Sequence, residues 1–448
     1  MGVISKVVGY GAMVRESDGA QAVRQAVVGS KLSSIRVRKL AGLAASMART
    51  GLRGAVLDTT DIVVSAQSAA SSFGAGTFTD FLVTNSNAGK FTFLGGTWAL
   101  GSGYPNNQVY IPVTRRAGNG TDPSVAASQM PGNRVVFFTE APKLELYLQV
   151  GATQGGCRLI VDGKYAKAGL IGNTEDGNLR YILITFGDGT ATYRKPRMIE
   201  LEFGGDGGFG GIRCEKIYAP RPAPQPDGLR LLVHGDSRVS TIVDTGTPET
   251  QLWGVMGQHL ANLLGQRDVW LSSVGGTGWI CPQAPKIYSW FNDRVAIDVV
   301  AAAPDVIVET GGSNDQSLIT AYGEAAYQAL VVTWLQTVIT AKPETVIFMT
   351  GPMGAKSAEN TDANWLKVRN AKQAAAALYP KNVAFIDNLG EAWCSGTGKQ
   401  TATTGDGQSD WGLGSDGAHN TIAGNWWYSD RIARAIAGSI PALIAAQG

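Results

Sequence analysis

The stretch Leu229-Arg-Leu-Leu-Val-His-Gly-Asp-Ser237 constrains the fold more than any other in the chain. Its apolar residues Leu229, Leu231, Leu232 and Val233 suit a strand buried on both faces, and Gly235 suits a tight turn at its carboxyl end. Ligands of open α/β sheets bind outside the carboxyl ends of the strands, so Ser237 falls where chemistry is usually done. Gly-Asp-Ser alone says little in a chain with 58 glycines. Its weight comes from three further segments farther along the chain.

From Asp227 onward, strand and helix patterns alternate. Helices are predicted over Glu249–Leu264, Leu318–Ala341, Asn364–Leu378 and Thr421–Ala446. Between them lie strand-like runs at Val269–Val274, Asp305–Thr310, Thr345–Met349 and Asn382–Ile386. The first two end in Gly275-Gly-Thr-Gly278 and Gly311-Gly-Ser-Asn-Asp315. With the opening strand this predicts a parallel five-stranded sheet in a three-layer, doubly wound α/β/α domain over residues 227–448.

Ahead of it, Ala219-Pro-Arg-Pro-Ala-Pro-Gln-Pro226 reads as a stiff boundary. Residues 81–220 carry short alternating runs such as Arg134–Thr139, Leu144–Val150, Cys157–Val161, Tyr181–Phe186 and Met198–Phe203. Turn residues separate them, which predicts an antiparallel, jelly-roll-like β-sandwich. Leu144-Glu-Leu-Tyr-Leu and Ile199-Glu-Leu-Glu-Phe suggest strands with one wet face. Trp98, Tyr104 and Tyr110 are candidate sugar-stacking rings and equally candidates for the sandwich core. Residues 1–80 form a third region, read as a basic arm or attachment segment. Up to residue 55 it holds nine basic residues against Glu16 and Asp18, with helical patterns at Gln21–Val28 and Val37–Met47.

The whole chain carries a net charge of only +2, so no global field selects nucleic acid as partner. Cys157, Cys214, Cys281 and Cys394 are scattered and are expected to be free thiols rather than zinc ligands or disulfides. Met1–Val14 is interrupted by Gly9 and Gly11 and lacks a small-residue cleavage site, so no secretory signal is expected. No apolar run is long enough for a membrane span. Neither a phosphate-binding Gly-Lys loop nor a zinc-binding His pair on a helix is visible, so no cofactor or metal is expected.

Acyl transfer needs a nucleophile, a base, a group to orient the base and donors for the oxyanion. Ser237 is the candidate nucleophile, and three histidines are available to serve it. His234 lies within the first strand and His259 within a helix at apolar spacing, which suits packing better than catalysis. His419 sits in a loop before the last helix, three residues after Asp416. A D-x-x-H loop lets the carboxylate bind one imidazole nitrogen and leaves the other facing the serine.

Taken in order, Gly235-Asp-Ser237, Gly275-Gly-Thr277, Gly312-Ser-Asn-Asp315 and Asp416-Gly-Ala-His419 resemble the four blocks of the SGNH (GDSL-type) hydrolase family. The resemblance covers the C-terminal half. It implies a flavodoxin-like SGNH domain with Ser237, Asp416 and His419 as catalytic triad. The oxyanion donors it implies are the Ser237 backbone, the Gly275 backbone and the Asn314 side chain. Gly276 competes with Gly275, and Asn314 also suits a helix cap. Asp236 and Asp315 read as turn and cap residues.

Aromatic residues crowd the expected rim: Trp279, Tyr288, Trp290, Trp411, Trp426 and Trp427. Trp279 and Trp411 are the candidate substrate-binding residues. Relatives with a sandwich ahead of the SGNH domain are often carbohydrate esterases, and a basic arm with a glycine-rich sandwich resembles phage tail deacetylases. The resemblance thus implies an acetylated polysaccharide as substrate, attachment to a virion acting at the bacterial surface, and homo-oligomers. Two rivals stay open: a lipase or small-ester hydrolase of the same mechanism, and a non-catalytic carbohydrate- or receptor-binding virion protein.

Overall fold

The computed structural model describes residues 35–48, 62–73, 77–100, 109–112, 132–149, 157–166, 171, 178–203, 207–224, 228–240, 254–281, 290–398 and 411–448. The expected helix Gln21–Val28, most of the basic arm, Tyr104 and Tyr288 lie outside them. Residues 62–112 with 132–224 form one compact unit, and residues 35–48 with 228–448 form another.

The first unit is a sandwich of two antiparallel sheets. One contains β1 (Ile62–Val64), β2 (Phe78–Leu82), β4 (Trp98–Leu100), β5 (Tyr110–Pro112), β7 (Lys143–Gln149), β10 (Leu179–Phe186) and β12 (Gly208–Glu215). The other contains β3 (Thr92–Leu94), β6 (Asn133–Thr139), β8 (Cys157–Val161), β9 (Lys164–Tyr165), β11 (Arg197–Phe203) and β13 (Arg221–Pro222). Asp162 (φ 51°) and Gly163 (φ 82°) turn β8 into β9, since a two-residue hairpin wants positive φ at both positions. Inward-facing residues such as Leu144, Leu146, Leu148, Ile199, Leu201 and Phe203 share the core with Phe137 and Phe209. The two described candidates for sugar stacking pack inward as well. Trp98 and Tyr110 lie 5.2 and 5.3 Å from Phe93 between ring centroids, and Trp98 donates its indole N–H to Leu94 O.

The acidic faces expected to be wet are dry. Glu145, Glu200 and Glu202 are all buried, because cations or donors close over them. Arg134 on β6 pairs with Glu200 and, at 2.7 Å, with Glu202, while Arg158 on β8 pairs with Glu202 from the other side. Burial opposes ionisation of Glu202, but the two guanidiniums outweigh it and hold the carboxyl below its usual value. Glu145 accepts from Ser71 Oγ and Ser72 N–H, both 2.5 Å away. Arg134→Met should therefore strand buried carboxylate charge and lower the unfolding free energy by about 3–5 kcal/mol, read by urea denaturation. A loss under ~1 kcal/mol, the level of an exposed ion pair, would contradict the burial argument.

In the second unit, β14 (Leu231–Gly235), β15 (Val269–Ser273), β16 (Val306–Glu309), β17 (Val346–Thr350) and β18 (Val383–Ile386) make a parallel sheet in the order β15-β14-β16-β17-β18. This is the expected five-stranded sheet. The long helices are α1 (Ile35–Ala48), α3 (Met256–Leu263), α6 (Glu324–Ala341), α7 (Ala363–Ala377) and α8 (Ile422–Ala445). Short ones are α2 (Ser237–Ser240), α4 (Phe291–Arg294) and α5 (Ile319–Tyr322). Helices α6 and α7 bury Tyr327, Val331, Trp334, Val368 and Ala371 against Leu232, Ile307 and Ile347 of the sheet. Helix α8 packs on α3 and α1.

Helix α1 shows why part of the basic arm is not a free arm. Val37, Leu40 and Leu43, at helical spacing, are buried. Lys39 reaches Asp305 at 2.9 Å, Arg36 donates to Lys381 O, and Ser46 donates to Gly265 O. Those partners all precede strands, so α1 is tied to the amino ends of the sheet.

Candidate active site

Strand β14 ends at Gly235, and Ser237 opens α2 at the carboxyl edge of the sheet. Asp236 is buried in the turn, where its carboxylate accepts the Arg238 N–H at 3.0 Å and its carbonyl accepts from Ser273 Oγ at 2.6 Å. The turn is thus held from β15, and Arg294 grips it from below by donating to Gly235 O at 2.7 Å.

His419 reaches the same point from far along the chain. Leu413 bridges Asn420, Gly414 N–H donates to His419 O at 2.6 Å, and Thr421 caps α8 by accepting from Gly424 N–H. On this tongue, Asp416 accepts the backbone N–H groups of Ala418 and His419 at 3.0 and 2.9 Å. Its other oxygen lies 2.5 Å from His419 Nδ1, and His419 Nε2 lies 2.7 Å from Ser237 Oγ. The order carboxylate, imidazole, hydroxyl lets Asp416 fix the tautomer and leaves Nε2 free to take the serine proton. Burial works against the Asp416 charge, but the bonds from the His419 ring and from two backbone N–H groups outweigh it, so its carboxyl is held below the usual value.

Two loops face this triad. Gly275 follows β15, and a Cβ built there would sit 3.4 Å from Ser237 Cβ, so the backbone passes directly beside the nucleophile. Gly276 takes φ 70°. Gly278 is set apart from them, since a Cβ there would land on the Asp315 carboxylate. Asn314 follows β16 and donates from Nδ2 to Thr277 O at 3.0 Å, and Nδ2 carries a second hydrogen. Asp315 joins the two loops by accepting the N–H groups of Trp279, Ile280 and Cys281 together with the Tyr327 hydroxyl.

No model of a known protein family matches the chain, and no curated protein does. Solved structures do. A family two carbohydrate esterase from Clostridium thermocellum, in complex with cellohexaose, is 16% identical, with 77% of this chain and 97% of that chain covered and a TM-score of 0.51. A family two carbohydrate esterase from Cellvibrio japonicus is 12% identical over 86% of this chain and 100% of that one, with a TM-score of 0.50. A salicylyl-acyltransferase from a tetracycline biosynthetic pathway is 14% identical over 79% and 94%, also at 0.50. The chain has the fold of the SGNH hydrolases.

Within that SGNH fold the other two histidines stand away from the serine. His234 is buried edge-on to Phe291 at 4.5 Å, and burial lowers its pKa well below the usual value. His259 stacks on Trp426 at 5.3 Å and is lowered to about 4, burial outweighing the attraction of Asp430. Among the described residues no three His, Cys, Asp or Glu side chains converge on a metal-sized site, and no helix is long and apolar enough to cross a membrane. All four cysteines are free thiols.

Trp279 corrects the reading of the rim. It is 1% exposed and packs edge-on to Phe291 and Tyr327. Asp315 draws the backbone at 279–281 inward, and the indole follows into the core. Trp411 is 42% exposed and Trp426 50%, both in or beside the His419 tongue and the start of α8; Trp290 is also exposed.

Sequence reasoning missed a buried pair below the site. Glu309 ends β16, and Lys372 lies on α7 with its Nζ 2.8 Å from Glu309 Oε2. Burial pushes the Glu309 carboxyl up, to about 7, against the pull of Lys372. The available signal was an acid inside an otherwise apolar strand, where only a paired charge is tolerated.

Proposed function

We propose that the protein is a serine esterase that removes O-acetyl groups from a polysaccharide. The observation that carries this reading is the continuous chain from Asp416 through His419 to Ser237, with contacts of 2.5 and 2.7 Å. In this mechanism Ser237 Oγ attacks the ester carbonyl while His419 Nε2 takes its proton, and Asp416 stabilises the imidazolium. The Ser237 and Gly275 backbone N–H groups and Asn314 Nδ2 stabilise the oxyanion. The alcohol leaves with the proton from His419, and water resolves the acyl-enzyme by the same relay.

A carbohydrate substrate is supported by the likeness to family two carbohydrate esterases and by the exposed rings of Trp411 and Trp426 on the His419 side. Residues 1–34, which the expected virion attachment would use, lie outside the described residues. The acyl-enzyme would equally serve transfer to an alcohol, and one of the similar structures is an acyltransferase.

The deciding experiment measures acetate released from acetylated xylan and acetylated cello-oligosaccharides, beside p-nitrophenyl esters of increasing acyl length. The expected result is acetate release, acetyl esters turned over at least about tenfold faster than octanoyl, and water as acceptor; a methylene difference in a small pocket is worth about 10–200-fold. Preference for octanoyl would move the reading to a lipase. No turnover of any ester by folded protein would leave a binding protein.

A further inference from the structure

The segment that carries Asn314 is pinned at four of its five residues. Ser313 Oγ donates to Met353 O at 3.0 Å and accepts the Met353 N–H at 3.1 Å. Asn314 is tied to Thr277, and Asp315 to residues 279–281 and Tyr327. Gly311 is held on both sides of its own backbone. Its N–H donates to Glu309 Oε1 at 2.6 Å, and its carbonyl accepts from Lys372 Nζ, also at 2.6 Å. Since Lys372 and Glu309 are themselves paired and both wholly buried, the three groups close into one ring.

A buried ion pair costs several kcal/mol of desolvation, and replacing both partners with apolar residues of similar volume is often neutral or stabilising. Packing alone does not account for the pair. Neither charge touches the triad, and their shared target is the Gly311 peptide. That glycine has no alternative anchor through a side chain, because a Cβ there would overlap the Phe291 ring. Gly312 follows at φ 111°, a swivel that only a glycine adopts easily. An unheld Gly311-Gly312 pair would let the loop, and Asn314 with it, drift.

We propose that Glu309 and Lys372 are positioning residues that clamp the Gly311 peptide and thereby set the Asn314 amide for the oxyanion. This rests on the reading of the site as a serine esterase with Asn314 as donor. A displacement of about 1 Å at such a donor costs on the order of 100-fold in rate without weakening substrate binding.

The test compares Lys372→Met, Asn314→Ala and the double variant by steady-state kinetics on p-nitrophenyl acetate, with circular dichroism and thermal melts to establish folding. Lys372→Met should lower kcat about 10–100-fold with KM within about twofold. Asn314→Ala should lower it about 100–1,000-fold. The double variant should be no slower than Asn314→Ala alone, because a clamp has nothing to position once the amide is gone. Wild-type kcat in a folded Lys372→Met protein, or losses that multiply in the double variant, would overturn the clamp while leaving the esterase reading intact. An Asn314→Ala protein at the wild-type rate overturns the oxyanion role and the clamp together. Should Lys372→Met alone fail to fold, Glu309→Gln/Lys372→Met removes both charges and keeps an acceptor for the Gly311 N–H. The same kinetic outcomes then decide.

Discussion

Ser237→Ala should lower kcat on p-nitrophenyl acetate by about 10⁴- to 10⁶-fold and leave the fold intact. The size follows from the way the site divides its labour. Removing the hydroxyl ends covalent catalysis and leaves His419 with no proton to take. The donors near Ser237 remain and can still speed attack by water about 10³–10⁴-fold over the uncatalysed reaction. Ser237 is half-buried at a turn braced by Ser273 and Arg294, and alanine fits where serine stood, so the melting temperature should hardly move. A fluorophosphonate should add covalently to the wild-type protein at Ser237, seen by mass spectrometry, and not to the variant. Retention of more than about a hundredth of the wild-type rate would mean that another residue attacks the ester.

His419→Ala should cost about as much as Ser237→Ala, and combining the two should add almost nothing, since they act as a unit. Asp416→Asn should cost about 10³–10⁴-fold, because the asparagine amide can donate toward Nδ1 and hold the ring in the wrong tautomer. Acid should act on the same residue. The Asp416 carboxyl sits below its ordinary value of 3.8, so its contribution is complete above that value. It is lost only as pH falls through the lower folded value. The unfolding free energy of the wild type should therefore fall through that range while that of Asp416→Asn does not, read by urea denaturation across acid pH. Identical falls in the two proteins would assign the loss to another group.

The parallel half of the fold is legible along the chain because each strand and helix declares itself locally. The apolar run at 231–235, the acid-tipped strand at 306–309 and the periodicity of 324–341 need no partner to be recognised. Asp416 and His419 are also local, three residues apart in one loop. What the chain does not display is which distant charges meet. Glu200 and Glu202 look solvent-facing from their alternation, and only the arrival of Arg134 and Arg158 on neighbouring strands makes burial tolerable. Trp279 looks like a rim residue by its place after a glycine turn, until Asp315, on another loop, draws the backbone inward. Lys372 lies in an alanine-rich helix with no hint that Gly311 is its partner.

Helix α1 bears on the order in which the molecule is made. It leaves the ribosome before the sandwich, whereas Gly265, Asp305, Lys381 and the helix α8 on which it packs all come after. The sandwich is built from one continuous length of strands, so its core can close while the rest is still being translated. At about 5–20 residues per second, the roughly 200 residues between α1 and β14 take on the order of 10–40 s to synthesise. Through that interval Val37, Leu40 and Leu43 lack helix α8 and strand β17, on which α1 packs. Helix α1, made before the sandwich, is thus among the last elements to dock, and its apolar stripe is what a chaperone would find to hold in the meantime.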